Sequence, residues 1–357
     1  MKTKFAVLGG GNAAFAFAGH AGLNGFEVNL YEDERFAKNL DEVKKNGGIY
    51  LKDCISGFGK ISKTTSDMEE AVKGTNIIII AVPEFAQRAM FEKYIKHAED
   101  GQIVAFFPGN YASFKFKKLV EESKKDIILA EASSIPYGAR KKEPGSVDII
   151  GLKHKLHVAS VPYSKNDYVL EKLNEFNNVF IPAKNVLEVS LNNPNFVVHC
   201  TATALNAGWI ESTKGDFSLY WQGMSPSVCN VLEAVDAERL AVASEFGYKI
   251  LSERDFFEMY YEITGDSLYE VIQKSENHGK SGAPSSLKDR YIEEDAPAGL
   301  TAIVALGKKF GVSTPVCESI LTICSTLNKT DYYKLGLNTK NLGIENMSKE
   351  DIIKYVS

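Results

Sequence analysis

A short apolar run, Phe5-Ala6-Val7-Leu8, opens directly into Gly9-Gly10-Gly11-Asn12-Ala13-Ala14, and a segment rich in alanine and phenylalanine follows, Ala13 to Leu23. Strand, G-x-G-x-x-A loop and helix in this order constrain the fold more than any other feature of the chain. Gly9 permits the tight turn, Gly11 presents no Cβ to an approaching pyrophosphate, and Ala14 lets helix and strand pack closely. The helix N-terminus then offers free N–H groups and partial positive charge to phosphate oxygens. Gly9, Gly10, Gly11, Asn12, Ala13 and Ala14 are therefore expected to bind a dinucleotide.

The alternation continues for half the chain. Glu27–Tyr31, Asn76–Val82, Gln102–Phe107 and Ile127–Glu131 read as buried strands, separated mostly by helical stretches, with Gly25 placed to end the first helix. Strand–helix alternation of this kind implies an α/β fold: a doubly wound, parallel Rossmann sheet. From about Asn185 strand-like runs give way to helical patterns, and Ser225-Pro226 supplies an N-cap with proline at the first helical position. The expected organisation is a Rossmann domain over residues 1–185 and an all-helical domain over 186–357.

Composition narrows the partners. A net charge of −5 with scattered lysines provides no basic face for nucleic acid. The longest apolar run, Ile77 to Val82, is too short to span a bilayer, and Met1-Lys2-Thr3-Lys4 leaves no room for a signal peptide. Cys54, Cys200, Cys229, Cys317 and Cys324 show neither CxxC pairing nor zinc spacing and read as free thiols, so no metal is expected and the cytoplasm is the expected compartment.

Glu32 ends the second strand, where a carboxylate hydrogen-bonds the ribose hydroxyls of NAD and repels a 2′-phosphate. Arg35, three residues on, could accept that phosphate, so NAD is the expected cofactor with NADP admitted. Val82 and Pro83, closing the Asn76–Val82 strand, join the cofactor set.

Three further residues suggest chemistry. His199 sits in the apolar stretch Phe196–Cys200, and Arg290 and Asp295 fall within Arg290-Tyr291-Ile292-Glu293-Glu294-Asp295. Spacing alone leaves the bland readings open: a core histidine, and a surface ion pair. Asp295, followed by Pro297 and Gly299, is placed at a helix start.

The chain resembles the opine dehydrogenase family (octopine/nopaline type) nearly end to end. Beyond the glycine loop, the resemblance is carried by Glu131–Arg140, by Asn193-Pro194 through His199 with Leu205-Asn206-Ala207-Gly208, by Tyr220–Ser227 and Asp236–Leu240, and by Arg290–Gly299. It implies reductive condensation of an amino acid's amine with an α-keto acid, commonly pyruvate, using NAD(P)H. In that scheme His199 is the general acid/base, Asp295 its orienting carboxylate and Arg290 the clamp on the keto-acid carboxylate. Asn110, Ser133 and Ser134 would line the substrate cleft between the domains. The partners expected are small molecules, with neither nucleic acid nor membrane, and a homodimer is compatible with this reading.

Two rivals stand beside it. Glycerol-3-phosphate and hydroxyacid dehydrogenases share the loop and the Ile80–Pro83 texture but place a lysine with a nearby asparagine where this chain has His199. A non-catalytic nucleotide-binding regulator would keep the fold without needing the three chemical residues.

Overall fold

The structure, a computed structural model, describes residues 3–357. It divides into two compact units: one runs to Ser190 and regains Ile353–Ser357, and the other is Leu191–Ile352. The division lies further along than the expected 185/186. Its position has a local cause, because the Ser190 side chain is tied into the first unit by the Glu131 carboxylate and the Tyr111 amide.

The first unit carries twelve strands: β1 (Lys4–Leu8), β2 (Glu27–Tyr31), β3 (Gly48–Asp53), β4 (Gly57–Lys60), β5 (Lys63–Thr65), β6 (Ile77–Ile80), β7 (Ile103–Phe106), β8 (Ile128–Ala132), β9 (Tyr137–Arg140), β10 (Ser146–Leu152), β11 (Leu156–Val161) and β12 (Phe180–Pro182). Eight form the main sheet in the order β12-β11-β8-β7-β6-β1-β2-β5. All its pairings are parallel except β11 against β8. The four isoleucines of β6 are buried on both faces, as a central parallel strand requires. The chain steps from β1 to β2 on one side and later to β6 on the other, so the sheet's switch point lies between β1 and β6. Register sets Tyr31, Leu8, Ile80, Phe106 and Glu131 side by side. Glu32, Gly9, Ala81 and Phe107, which follow the first four, therefore begin loops along one carboxyl edge, and β8 ends there one residue on, at Ala132.

Helix α1 (Asn12–Leu23) follows β1 and is buried almost all round. The reason is a second sheet, β4-β3-β10-β9, which sequence patterning did not reveal. Its Ile49 and Leu51 side chains press on Gly19, and a Cβ on Gly22 or Gly59 would overlap the backbone of Lys60 or Gly19 respectively. Glycine at these positions lets the helix backbone touch the strand backbone. The small residues of α1 thus serve two sheets.

Among the described residues, the second unit is helical apart from one isolated bridge, Ser218 to Gly282. Its longest helix, Pro226–Glu245, is capped by Ser225, whose hydroxyl accepts the Val228 amide at 3.4 Å. Gly247, at φ +73°, turns the chain away just past the helix end. Arg239 is wholly buried; its guanidinium donates to Asp236 Oδ1 at 2.9 and 2.6 Å and to the carbonyls of Leu191 and Leu251. A charge buried this deeply persists only when so fully paired. No helix among the described residues is long and apolar enough to cross a membrane.

Candidate active site

At the nucleotide loop, Gly9 takes φ +127°, and a Cβ there would meet Val82 Cγ1 at 2.9 Å and the Ala81 carbonyl at 3.0 Å. Glycine is thus required both by conformation and by the approach of the β6 loop, which brings Val82 and Pro83 beside the motif. Ala14 is fully buried under Gly9. Gly11 differs: nothing lies within 4 Å of its missing Cβ. It is the N-cap of α1 and makes no side-chain cap, so the first-turn amides of Asn12 and Ala13 keep their donors for a ligand. Open space above Gly11 and an uncapped helix start fit the pyrophosphate of a dinucleotide.

Glu32 is buried beside this loop. Its carboxylate accepts the Asp33 amide at 3.0 Å and the Asn39 side-chain amide at 3.3 Å. A Cβ on Gly10 would overlap Glu32 Oε2, so Gly10, a variable position of the motif, is needed here to seat the carboxylate. Arg35, the candidate reader of a 2′-phosphate, is turned instead to Asp33, donating from Nε to Oδ1 at 2.8 Å, and Lys93 pairs with the other oxygen. Hydrogen bonds from Arg35 and Lys93 hold the Asp33 carboxyl far below the ordinary range.

Two loops further along the same edge hold the substrate candidates of this unit. Phe107–Pro108 is a cis peptide, and Asn110 and Tyr111 are both left-handed, at φ 50° and 60°. Consecutive non-glycine residues in this region need support from their surroundings. Glu131, wholly buried beneath them, provides it: Oε1 accepts the Ser113 amide at 2.6 Å and Oε2 accepts the Ser190 hydroxyl at 3.1 Å, while Ser190 Oγ accepts the Tyr111 amide at 2.9 Å. Burial raises the Glu131 pKa, opposed chiefly by the Ser113 hydrogen bonds. The Gly109 amide donates to the Ala132 carbonyl at 2.9 Å, which brings Asn110 to the neighbourhood of Ser133 and Ser134. All three are buried; Ser134 Oγ accepts from Lys153, whereas Ser133 Oγ has no hydrogen-bond partner among the described residues.

In the second unit, His199 lies on the helix Asn195–Leu205 and is 6% exposed. Its Nδ1 donates to Asp295 Oδ2 at 2.7 Å. Asp295 does sit at the N-terminus of a helical turn, Ala296–Leu300, but its side chain makes no cap and turns to the imidazole instead. Gly299 packs that turn onto the ring of Phe196, where a Cβ would overlap, and so holds Asp295 against the histidine helix. The surface ion-pair reading of Arg290 and Asp295 therefore fails: Asp295 is buried and its partner is His199. With Nδ1 committed to the carboxylate, Nε2 is the nitrogen left for proton transfer. Burial lowers the His199 pKa, opposed by the hydrogen bond and charge of Asp295.

Tyr291 joins the group. Its ring stacks on His199 at 3.9 Å and 10°, and the Arg290 guanidinium lies 5.1 Å from the same ring's centroid. Arg290 is exposed, and among the described residues no carboxylate pairs with it, although Asp289, Glu293, Glu294 and Asp295 are near in sequence. Asp289 is occupied in accepting the Tyr291 amide at 3.1 Å. An unpaired guanidinium next to an oriented imidazole can hold a carboxylate while a proton moves. The stacking role of Tyr291, the support by Glu131 and Ser190, and the cation Lys141 described below have no signature in spacing or periodicity.

A family model described as "NAD/NADP octopine/nopaline dehydrogenase, alpha-helical domain" matches residues 182–328, and one described as "NAD-dependent glycerol-3-phosphate dehydrogenase N-terminus" matches residues 4–124. The glycerol-3-phosphate likeness is thus confined to the nucleotide half. The chain is 30% identical to an opine dehydrogenase of Arthrobacter sp. (strain 1C), over 98% of its own length and 97% of the relative's. Among solved structures, octopine dehydrogenase in complex with NADH and agmatine aligns with a TM-score of 0.81 at 19% identity, covering 100% of this chain and 99% of that one. An octopine dehydrogenase structure with NADH and pyruvate aligns with a TM-score of 0.76 at 20% identity, covering 97% of each chain. At these identities the two structures establish the fold.

Proposed function

The chain belongs to the opine dehydrogenase family, and from that membership we propose that it condenses the amine of an amino acid with an α-keto acid such as pyruvate and reduces the resulting imine. Family membership makes it an NAD(P)-dependent dehydrogenase acting on CH–NH donors. The observation that carries the finer reading is the His199–Asp295 pair beside an unpaired Arg290.

In this reading Arg290 clamps the keto-acid carboxylate with two parallel hydrogen bonds, fixing the orientation of the neighbouring carbonyl carbon. The amine adds to that carbon, and His199, protonated, gives its Nε2 proton to the departing hydroxyl so that water leaves and the imine forms. Asp295 keeps the imidazole in the Nδ1–H tautomer and stabilises its charged form. When bound, the nicotinamide supplies hydride to the imine carbon. Gly9 through Ala14 hold the pyrophosphate, Glu32 the ribose hydroxyls, and Val82 and Pro83 flank the cofactor. Asn110, Ser133 and Ser134 contribute polar atoms toward the substrates. In the oxidative direction His199 serves as the base that activates water for attack on the imine.

Oxidation of NADH in the presence of pyruvate, measured across the twenty common amino acids with taurine and β-alanine, tests this directly. Turnover that requires both keto acid and amine supports the reading. Turnover of a keto acid or of dihydroxyacetone phosphate without any amine would overturn it in favour of a hydroxyacid or glycerol-3-phosphate type.

A further inference from the structure

Lys141 leaves the end of β9, in the second sheet, and closes on the nucleotide loop from outside the Rossmann motif. Its main-chain amide donates to Asn12 Oδ1 at 3.0 Å, and its ammonium donates to the Gly10 carbonyl at 2.8 Å. The same ammonium lies 3.7 Å from the centroid of the Phe15 ring, one turn into α1. One residue thus touches Gly10, Asn12 and Phe15, which bracket the uncapped start of the helix.

The neighbouring cations behave differently. Lys142 is paired with Asp148 at 2.7 Å, and Arg140 is exposed and donates to the carbonyl of Ala139. Among the described residues no carboxylate pairs with Lys141, and its stem is half-buried. Burial accordingly lowers its pKa, with the charge of Glu32 opposing. A cation partly withdrawn from water, whose direct contacts among the described residues are a carbonyl and a ring face, gains most from an anion at the same place.

We propose that Lys141 is a ligand of the cofactor's pyrophosphate, supplied by the second sheet to complete the site at the start of α1. Its hydrogen bond to the Gly10 carbonyl keeps the side chain extended along the loop before the cofactor arrives. On binding, a phosphate oxygen replaces or joins that carbonyl, and the ammonium–phosphate bond is charge-assisted. Glu32 and Lys141 then divide the cofactor between them from the two sides of Gly10, the carboxylate reading the ribose and the ammonium the diphosphate. The second sheet acquires a role beyond covering α1.

Equilibrium binding to the full-length protein, read by NADH fluorescence and calorimetry, tests the assignment. Lys141→Gln and Lys141→Met should each weaken NADH and NADPH by similar factors of ~10–100, the scale of one lost charge-assisted bond. ADP should lose affinity in parallel, adenosine should bind unchanged, and the dependence of the NADH Kd on salt should flatten. Lys142→Gln, on the neighbouring cation, should change none of these. The methionine variant keeps the apolar stem over Phe15, so a binding loss shared by both variants, with melting temperatures near that of the parent, reports the charge rather than a collapsed loop. An NADH Kd within twofold of the parent in both variants would overturn the proposal. So would a loss confined to NADPH, which would make Lys141 a reader of the 2′-phosphate.

Discussion

His199 Nδ1 and Asp295 Oδ2 stand 2.7 Å apart, both buried, across 96 residues of chain. A carboxylate in that position selects which imidazole nitrogen carries the proton and which faces a substrate. His199→Ala is expected to lower kcat by roughly 10² to 10⁴, the usual scale of a lost general acid/base. Asp295→Asn should impair turnover and leave NADH affinity nearly intact. In the proposed mechanism the two residues form one proton-transfer device, so their losses should be strongly non-additive. A double-mutant cycle in kcat, with NADH affinity measured alongside, checks this; losses that simply multiply would return His199 to an ordinary core histidine.

The pH profile follows from the same pair. Burial lowers the His199 pKa while Asp295 supports the imidazolium. Condensation needs the protonated ring, so its rate should fall as pH rises through a value below the ordinary imidazole pKa of about 6.5. The oxidative direction needs the neutral ring and should rise over the same window. Asp295→Asn removes the support for the charge and should shift both limbs further to acid. Profiles of kcat/KM in the two directions, parent against variant, measure the shift, and a shift to alkali would contradict it.

Arg290 separates binding from chemistry. Arg290→Lys keeps the positive charge but loses the planar fork. The KM for the keto acid should rise by about tenfold or more, on the scale of one charge-assisted hydrogen bond, with a smaller fall in kcat. Steady-state kinetics at saturating amine decide the matter. An unchanged keto-acid KM would remove Arg290 from the clamp.

In the proposed function, cofactor preference rests on Glu32. The parent should favour NADH over NADPH, because a buried carboxylate at the ribose repels a 2′-phosphate and Arg35 is already held by Asp33. Glu32→Ala should relax that ratio, read as kcat/KM for the two cofactors. A parent preference for NADPH above tenfold would show that the cations near Asp33 override the carboxylate.

Glu131 makes a stability prediction with a definite sign. Its pKa is raised by burial, so any stability it lends is fully present below the unfolded carboxyl value of about 4.3 and is lost as pH rises through the higher folded value. Glu131→Gln keeps an acceptor for the Ser113 amide and removes the buried charge. The melting temperature of the parent should decline from acid toward neutral pH more steeply than that of the glutamine variant. Glu131→Ala strands the Ser113 amide and should cost about 1–3 kcal/mol at acid pH, and less as pH rises. Thermal melts from pH 4 to 8 distinguish the cases.

Legibility in the sequence followed the range of the interactions. Gly9 through Ala14 and Glu32 were readable because strand, turn and helix are contiguous and their periodicities differ. The isoleucines of β6 announced a buried parallel strand for the same local reason. His199 and Asp295 could be joined only through the family resemblance, since no spacing rule connects residues 96 apart. The second sheet escaped because each of its strands contains glycine and because it packs on α1 by backbone contact through Gly19, Gly22 and Gly59. With it were hidden Lys141 and the true surroundings of α1, whose run of alanine and glycine looked like ordinary close packing. Glu131 read as one more residue at the end of a strand. Its task, supporting the left-handed Asn110 and Tyr111, depends on Ser190, which lies 59 residues further along the chain.

The return of Ile353–Ser357 to the first unit bears on how the protein is made. Lys117 donates to the Tyr355 carbonyl at 2.6 Å and lies 4.4 Å from the same residue's ring centroid, while Phe114 packs against that ring at 6.0 Å. A ribosome delivers Lys117 long before Tyr355, with the whole of Leu191–Ile352 emerging in between. The nucleotide-binding unit is therefore begun first and finished last, and during translation the helix Ala112–Ser123 waits with one flank uncovered. Quality control of nascent chains would meet this protein with its helical unit already emerged and its nucleotide unit still open.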